Sequence, residues 1–246
     1  MALWMGLLAL GTWQVQRLAW KQDLIARVEQ RVHADPADLS DPAQWIGLNR
    51  ADDEYRRVRL SGVFLHEQET LVQANTELGA GFWVLTPLRL ANGAAVLINR
   101  GFVPPEARQR AVRLAGEPQG RTTVIGLLRL SEPGGAFLRD NNPAADRWYS
   151  RDVQAIAAAR GLSNAAPYFV DAQMADADDA SNGRWPVAGL TVLVFKNNHL
   201  VYAITWYILA LMLAGAVYYV GREEYRLRRR QPTLDSDKVS SDESAR

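Results

Sequence analysis

The feature that most constrains this chain is an uncharged apolar run from 200 to 220, LVYAITWYILALMLAGAVYYV. At a helical rise of about 1.5 Å per residue it spans roughly 30 Å, the thickness of a bilayer's hydrocarbon core. Aromatic rings gather at both ends, Tyr202, Trp206 and Tyr207 at one and Tyr218 and Tyr219 at the other. Amphipathic rings favour the two headgroup levels, so the segment reads as a membrane helix with aromatic belts. The competing reading, a buried core helix of a soluble protein, has no need of so long an uncharged run.

The flanks orient it. Arg222, Arg226, Arg228, Arg229 and Arg230 follow the run, while Lys196, Asn197, Asn198 and His199 precede it. Short arginine-rich flanks stay cytoplasmic, which predicts a cytoplasmic C-terminus. Residues 231–246 are polar and poor in apolar groups, the composition of a disordered tail.

A second uncharged stretch, MALWMGLLALGTWQVQ, occupies residues 1–16 and is about 24 Å long as a helix. It reads either as a first membrane helix whose opening turns precede Met1 or as a cleaved leader; no basic region precedes it and no small-residue cleavage site follows. With two spans, the intervening residues lie in a periplasm-like space. The organisation expected is therefore a first transmembrane helix (1–20), an extracytoplasmic domain with a helical stalk (21–198), a second transmembrane helix (199–220) and a basic flank with a polar tail (221–246).

The stalk follows from spacing. Leu18, Ile25 and Val32 recur every seven residues, with Val28 on the same face and charges elsewhere, until Pro36 and Pro42 break the pattern. Beyond Tyr55, short runs rich in β-branched and aromatic residues alternate with turn signals. Strands are expected at 58–64, 70–75, 82–90, 95–102, 122–130, 168–170 and 190–195. Asn92-Gly93 suits a hairpin turn. One helix is expected at 151–160, with Ser150 as N-cap and Gly161 past its end. The fold class predicted is a membrane protein with two transmembrane α-helices flanking an α+β extracytoplasmic domain, its sheet mainly antiparallel; a sandwich and a partly open barrel stand as alternatives.

Chemistry is sparse. The chain has no cysteine, which removes disulfides, thiolate metal sites and cysteine nucleophiles. Its three histidines are too few for a multi-histidine metal site, and its net charge of +1 lacks the basic excess of a nucleic-acid binder. No phosphate-binding glycine loop, zinc-protease histidine pair or G-x-S-x-G occurs, so no enzyme is expected. Asp176, Asp178 and Asp179 lack calcium-loop spacing and read as a solvated loop. Asp140-Asn141-Asn142-Pro143 reads as a turn.

One place stands apart. His199 sits at the outer mouth of the second span, with Tyr202 and Trp206 at i+3 and i+7. Imidazole is a common axial ligand of haem iron, and an indole about 10 Å deeper suits packing on a porphyrin. If the spans pack side by side, Trp13, Gln14, Gln16 and Arg17 reach a similar depth, where a guanidinium can pair with haem carboxylates. The plain alternative is that all of these are interfacial residues of the aromatic belts.

Six blocks carry a resemblance: LGTWQVQRLAWK (10–21), GFWVLTPLRL (81–90), VLINRGFVP (96–104), WYSRD (148–152), YFVDA (168–172) and KNNHLVYAITWYILA (196–210). Together they resemble, in order and over nearly the whole chain, the Surfeit locus protein 1 (Shy) family of cytochrome c oxidase assembly factors. The resemblance implies a multi-pass protein of a bacterial inner membrane with its central domain in the periplasm. It further implies a chaperone that binds haem a and aids its delivery to the oxidase's catalytic subunit, with haem a synthase as a further partner beside membrane lipid and no nucleic acid. The family's motif histidine falls on His199, as the iron ligand, and its tryptophan on Trp206; Tyr202, Arg17 and Trp13 complete the expected haem-contacting set. The rival function is a membrane-anchored scaffold that grips a nascent oxidase subunit without touching haem, with 81–90 and 96–104 as partner surface. On that rival the plainer reading of Phe82, Val84, Leu97 and Ile98 is core, and of Gly81 and Gly101 turn residues.

Overall fold

The computed structural model describes residues 2–136, 138–173, 185–190 and 197–230. The chain divides into two compact units, one of residues 1–25 and 194–246, the other of 26–193.

The first unit is built on two helices, α1 (Ala2–His33, whose residues past Ile25 belong to the second unit) and α4 (His199–Arg230). Among the described helices α4 is long and apolar enough to cross a membrane. Leu200, Val201, Ile204, Ile208, Leu211, Met212 and Val217 stand exposed around it. Water would charge about 25 cal/mol for each Å² of such surface, so a helix apolar nearly all round requires lipid or protein cover. The helix runs past Val220 to Arg230, so the arginine-rich flank is helical rather than part of an irregular tail. Residues 231–246 lie outside the described set.

The less exposed positions of each helix repeat at alternating steps of four and three. On α1 they include Leu7, Gly11, Gln14, Leu18, Lys21, Ile25, Val28 and Val32, with Leu8, Leu24 and Arg31 beside them; on α4 they are His199, Ala203, Trp206, Ala210 and Leu213. Around Gly11 and Gln14, where α1 meets α4, that spacing is the seam of a helix pair; the stripe expected at Leu18, Ile25, Val28 and Val32 continues the same spacing along α1, with Val28 and Val32 in the second unit. α1 is unbroken from the apolar segment into the charged one and stops before Pro36.

The second unit is rich in β-structure: β1 (Ala37–Asp38), β2 (Arg57–Phe64), β3 (Thr70–Thr76), β4 (Gly79–Leu90), β5 (Ala95–Val103), β6 (Arg121–Leu130) and β7 (Ala165–Ala172). The order is β1-β2-β6-β7-β5-β4-β3, and β2 also pairs with β4 through Gly62–Leu90, Val63–Arg89 and Phe64–Leu88. That pairing closes β2, β6, β7, β5 and β4 into a small barrel, which removes most sheet edges. The sheet is mixed rather than uniformly antiparallel, because β1–β2 and β5–β7 run parallel. The chain reaches β7 only after β6 and a helix, and inserts it between β5 and β6.

Alternation explains the core. Val58, Leu60, Leu88, Val96, Ile98, Val124, Leu128, Tyr168 and Val170 share one phase and fill the barrel with Leu39 and Trp45. Leu85, Leu97 and Phe169 take the other phase and meet Val72, Trp148, Val153 and Ile156 outside it. β5 is buried at every position because both its faces are covered.

The helix expected at 151–160 is α3 (Val153–Ala159), following a single turn α2 (Arg50–Asp53). Its cap is Asp152, whose carboxylate accepts from Ala155 N, rather than Ser150. The Ser150 hydroxyl accepts instead from Gly135 N and Asn141 Nδ2, which holds the preceding loop. Gly161, just past α3, takes a positive φ, and Asn92-Gly93 joins β4 to β5. The turn expected at Asp140–Pro143 falls later: Asp140 and Asn141 are in no turn, and a 3-10 turn capped by Asn142 runs over Pro143–Ala145. The strand expected at 190–195 and the acidic loop around Asp176, Asp178 and Asp179 lie outside the described residues, except Leu190, which is in no strand.

Gly81 and Gly101 are not turn residues: they lie inside β4 and β5. Gly101 has φ +131°, and a Cβ there would sit 2.1 Å from Val187 O. Gly81 lets Val103 O and the Phe102 ring approach. Val84, Leu97 and Ile98 are buried as expected, and Phe82 is partly buried.

Candidate functional site

In the helix unit, His199 opens α4 and its Nδ1 lies 2.7 Å from Gln14 Oε1 of α1. A carboxamide oxygen only accepts, so the bond puts the imidazole proton on Nδ1 and leaves the Nε2 lone pair free to donate to a Lewis acid. Metal-bound histidines are oriented in this way, by an oxygen acceptor on the far nitrogen. The sequence places Gln14 at the outer end of the first helix, but no spacing signals its bond to His199.

Small residues let the two backbones come close. A Cβ on Gly11 would lie 2.8 Å from Tyr207 Cε1, and Thr12 Oγ1 is 3.2 Å from the Tyr207 hydroxyl. Ala203 and Ala210 are buried on α4. In lipid such close approach replaces the hydrophobic effect as the source of helix association.

The other expected residues are distributed around this contact. Trp206 is half-buried on the same stripe as His199, two turns along. Tyr202 and Trp13 each keep 54% of their surface exposed. Arg17 is exposed, with its guanidinium 4.1 Å above the Trp20 ring. His199 and Gln14 are thus joined directly, whereas Tyr202, Trp13 and Arg17 face outward. Among the described residues no group of three or more histidine, aspartate or glutamate side chains could hold a metal ion. A single-histidine axial ligand needs no such group.

The β unit holds a charge network that periodicity could not reveal. Asp171, buried at the end of β7, accepts from Asn99 Nδ2 at 2.7 Å, Arg129 at 3.0 Å and Arg151 at 3.2 Å. Arg129 also reaches Glu54 at 2.8 Å, and Arg151 reaches Glu132 at 2.7 Å. Both guanidinium groups stack on Phe169. Burial works against the charge of Arg129, but Asp171 and Glu54 more than offset it and hold its pKa above the ordinary value. Asn99, Arg151 and Asp171 come from three separate blocks of the sequence, VLINRGFVP, WYSRD and YFVDA, which the network ties together.

A second cluster lies at the β5 end of the barrel. Arg110 donates to Glu117 at 2.6 and 2.9 Å and also to Glu67, and Arg113 donates to Glu69 at 2.6 Å. The hydrogen bonds from Arg110 hold the Glu117 carboxyl below the usual carboxylate range.

The family model described as the SURF1 family matches residues 1–211. Surfeit locus protein 1 of Homo sapiens is 36% identical over 218 residues, covering 80% of this chain and 68% of the human protein. The SURF1-like protein of Monosiga brevicollis is 39% identical over 223 residues, covering 85% of this chain and 81% of its own length. With the match running from the first helix through the barrel and into α4, the chain belongs to the SURF1 family.

Proposed function

We propose that this chain is an assembly factor for a haem-copper cytochrome c oxidase that carries haem a as cargo between its two terminal helices. His199 is the axial ligand, and the carrying observation is the Gln14 bond to its Nδ1, which leaves Nε2 as the nitrogen for iron. Trp206 packs on the apolar body of the cargo, and Tyr202, Trp13 and Arg17 line its rim, with the guanidinium of Arg17 meeting a propionate.

On this reading α1 is the first membrane crossing and α4 the second. The barrel lies in the periplasm of a bacterial inner membrane, and the arginines after Val220 hold the C-terminus in the cytoplasm. A single protein ligand keeps the haem without trapping it, so a site offering two ligands in the oxidase's catalytic subunit draws it away. Haem a synthase is the natural donor. The protein binds and hands on; it makes and breaks no covalent bond.

The test is co-expression with the enzymes of haem a synthesis, followed by an optical spectrum of the detergent-purified chain. A Soret band in the unchanged protein that is lost or shifted in His199→Ala supports carriage. A colourless protein, or a variant with unchanged spectrum and stoichiometry, overturns it and favours a scaffold that grips the oxidase subunit alone.

A further inference from the structure

Among the described residues, unequal strand lengths leave a gap in the barrel wall. β7 ends at Ala172, opposite Gly126 of β6 and one residue past the Asp171–Asn99 pair with β5. β5 nevertheless continues to Val103, and β6 begins at Arg121. Residues 185–190 close one side, since Val187 and Phe102 exchange two 2.9 Å backbone hydrogen bonds and Gly189 N reaches Ala172 O. What remains is a slot of about 660 Å³, floored by Phe64, Ile98 and Val124 and edged by Arg100, Glu117 and Trp185. Its floor is the barrel's own core phase, and its size is that of a small-molecule site.

Arg100 is the unusual member. It is only 7% exposed. One terminal nitrogen donates to Gly116 O at 2.6 Å and the other faces His66 Nδ1 at 3.5 Å. His66 Nε2 bonds Pro118 O at 3.0 Å, which keeps the ring proton on Nε2, and the ring stacks on Phe64. The carboxylates nearby are engaged elsewhere: Glu117 and Glu67 on Arg110, Glu69 on Arg113. Among the described residues no carboxylate oxygen lies within 4.0 Å of the Arg100 guanidinium. Its pKa is held below the ordinary value by burial, which the more distant Glu117 and Glu69 only partly offset. Arg129, somewhat less enclosed but touched by three carboxylates, is moved the opposite way. A buried cation without a contacting anion is a costly state that an anionic ligand relieves.

We propose that this slot binds a small amphipathic carboxylic acid, its carboxylate on the Arg100 guanidinium and its apolar body on the Phe64, Ile98 and Val124 floor. Guanidinium and carboxylate match in a planar, two-bond geometry, which sets the orientation. Glu117, buried and already bound by Arg110 from two nitrogens, lines the slot as a fixed negative group that disfavours a second charge on the ligand. The site lies wholly within the β unit and does not depend on haem carriage.

The test uses the full chain in neutral detergent, titrated calorimetrically with 4-phenylbutyrate and with 4-phenylbutanol, each corrected for a detergent blank. The acid is expected to saturate one site and to bind at least tenfold more tightly than the alcohol. Arg100→Gln should weaken the acid at least tenfold, to the level of the alcohol. Equal binding of acid and alcohol, no saturable binding of the acid, or an unchanged affinity in the variant would each overturn the proposal. Should the variant not fold, the acid and alcohol pair on the unaltered chain decides the matter.

Discussion

Gln14 Oε1 lies 2.7 Å from His199 Nδ1, so a residue of the first helix sets the tautomer of a residue at the start of the last. Metal-bound imidazoles lose roughly 10–100-fold in affinity when such an acceptor is removed. Gln14→Leu should therefore reduce haem retention by about that factor while His199 remains, and Gln14→Glu, which keeps the acceptor, should retain it. Haem occupancy from the ratio of Soret to protein absorbance reads the result. Equal occupancy in all three proteins would show that the bond does not tune the ligand.

Asp171 is the joint of the β unit's charge network. Its removal leaves two guanidinium groups in a buried place and Asn99 without its acceptor. Asp171→Ala should lower stability by roughly 3–5 kcal/mol, the range for breaking a buried pair. Asn99→Ala should cost roughly 1–3 kcal/mol, as a single buried hydrogen bond does. Urea titration followed by tryptophan fluorescence compares them, and similar small losses would mean the network relaxes around the gap.

Glu117 makes stability depend on acid. Folding lowers its pKa, so the folded state favours the ionised form. The stabilisation is present above the ordinary carboxylate value and is lost as pH falls through it toward the folded value. Glu117→Gln should flatten the fall in stability below about pH 5, near the ordinary carboxylate pKa. Parallel curves for variant and unaltered protein would assign the acid sensitivity to other groups.

Two glycines with positive φ should respond unequally. Gly93, at the β4–β5 hairpin, has φ +82° and nothing within 4 Å of a Cβ. Gly93→Ala should therefore cost only about 1–2 kcal/mol, the left-handed penalty. At Gly101 the same strain adds to a Cβ only 2.1 Å from Val187 O, in a backbone-to-backbone contact. Gly101→Ala should cost clearly more, and thermal unfolding midpoints of the two variants check the order. A smaller shift at Gly101 would mean that the segment around Val187 moves aside freely.

Much of the architecture was legible because it depends on near neighbours in the chain. The uncharged run of α4, the seven-residue spacing of Leu18, Ile25 and Val32, the β-branched and apolar runs of β2 and β6 and the Asn92-Gly93 turn are local patterns that act through local geometry. Even there, competition misled: both Ser150 and Asp152 can cap α3, and only the loop that needs the Ser150 hydroxyl leaves the cap to Asp152. His199 is legible as a candidate because an imidazole stands where a long uncharged apolar run begins.

The sequence by itself determined which segments are apolar, where β2 to β7 lie and where the polar groups of each helix end lie. Only the tertiary structure decided that β2 closes on β4, that β7 stops short and opens a slot beside Arg100, that Asn99, Arg151 and Asp171 meet, and that Gln14 orients His199. These are pairings between residues far apart in the chain. Their geometry follows from how the barrel closes and how closely Gly11 admits Tyr207, and no periodicity encodes a distance that the folded backbone alone creates.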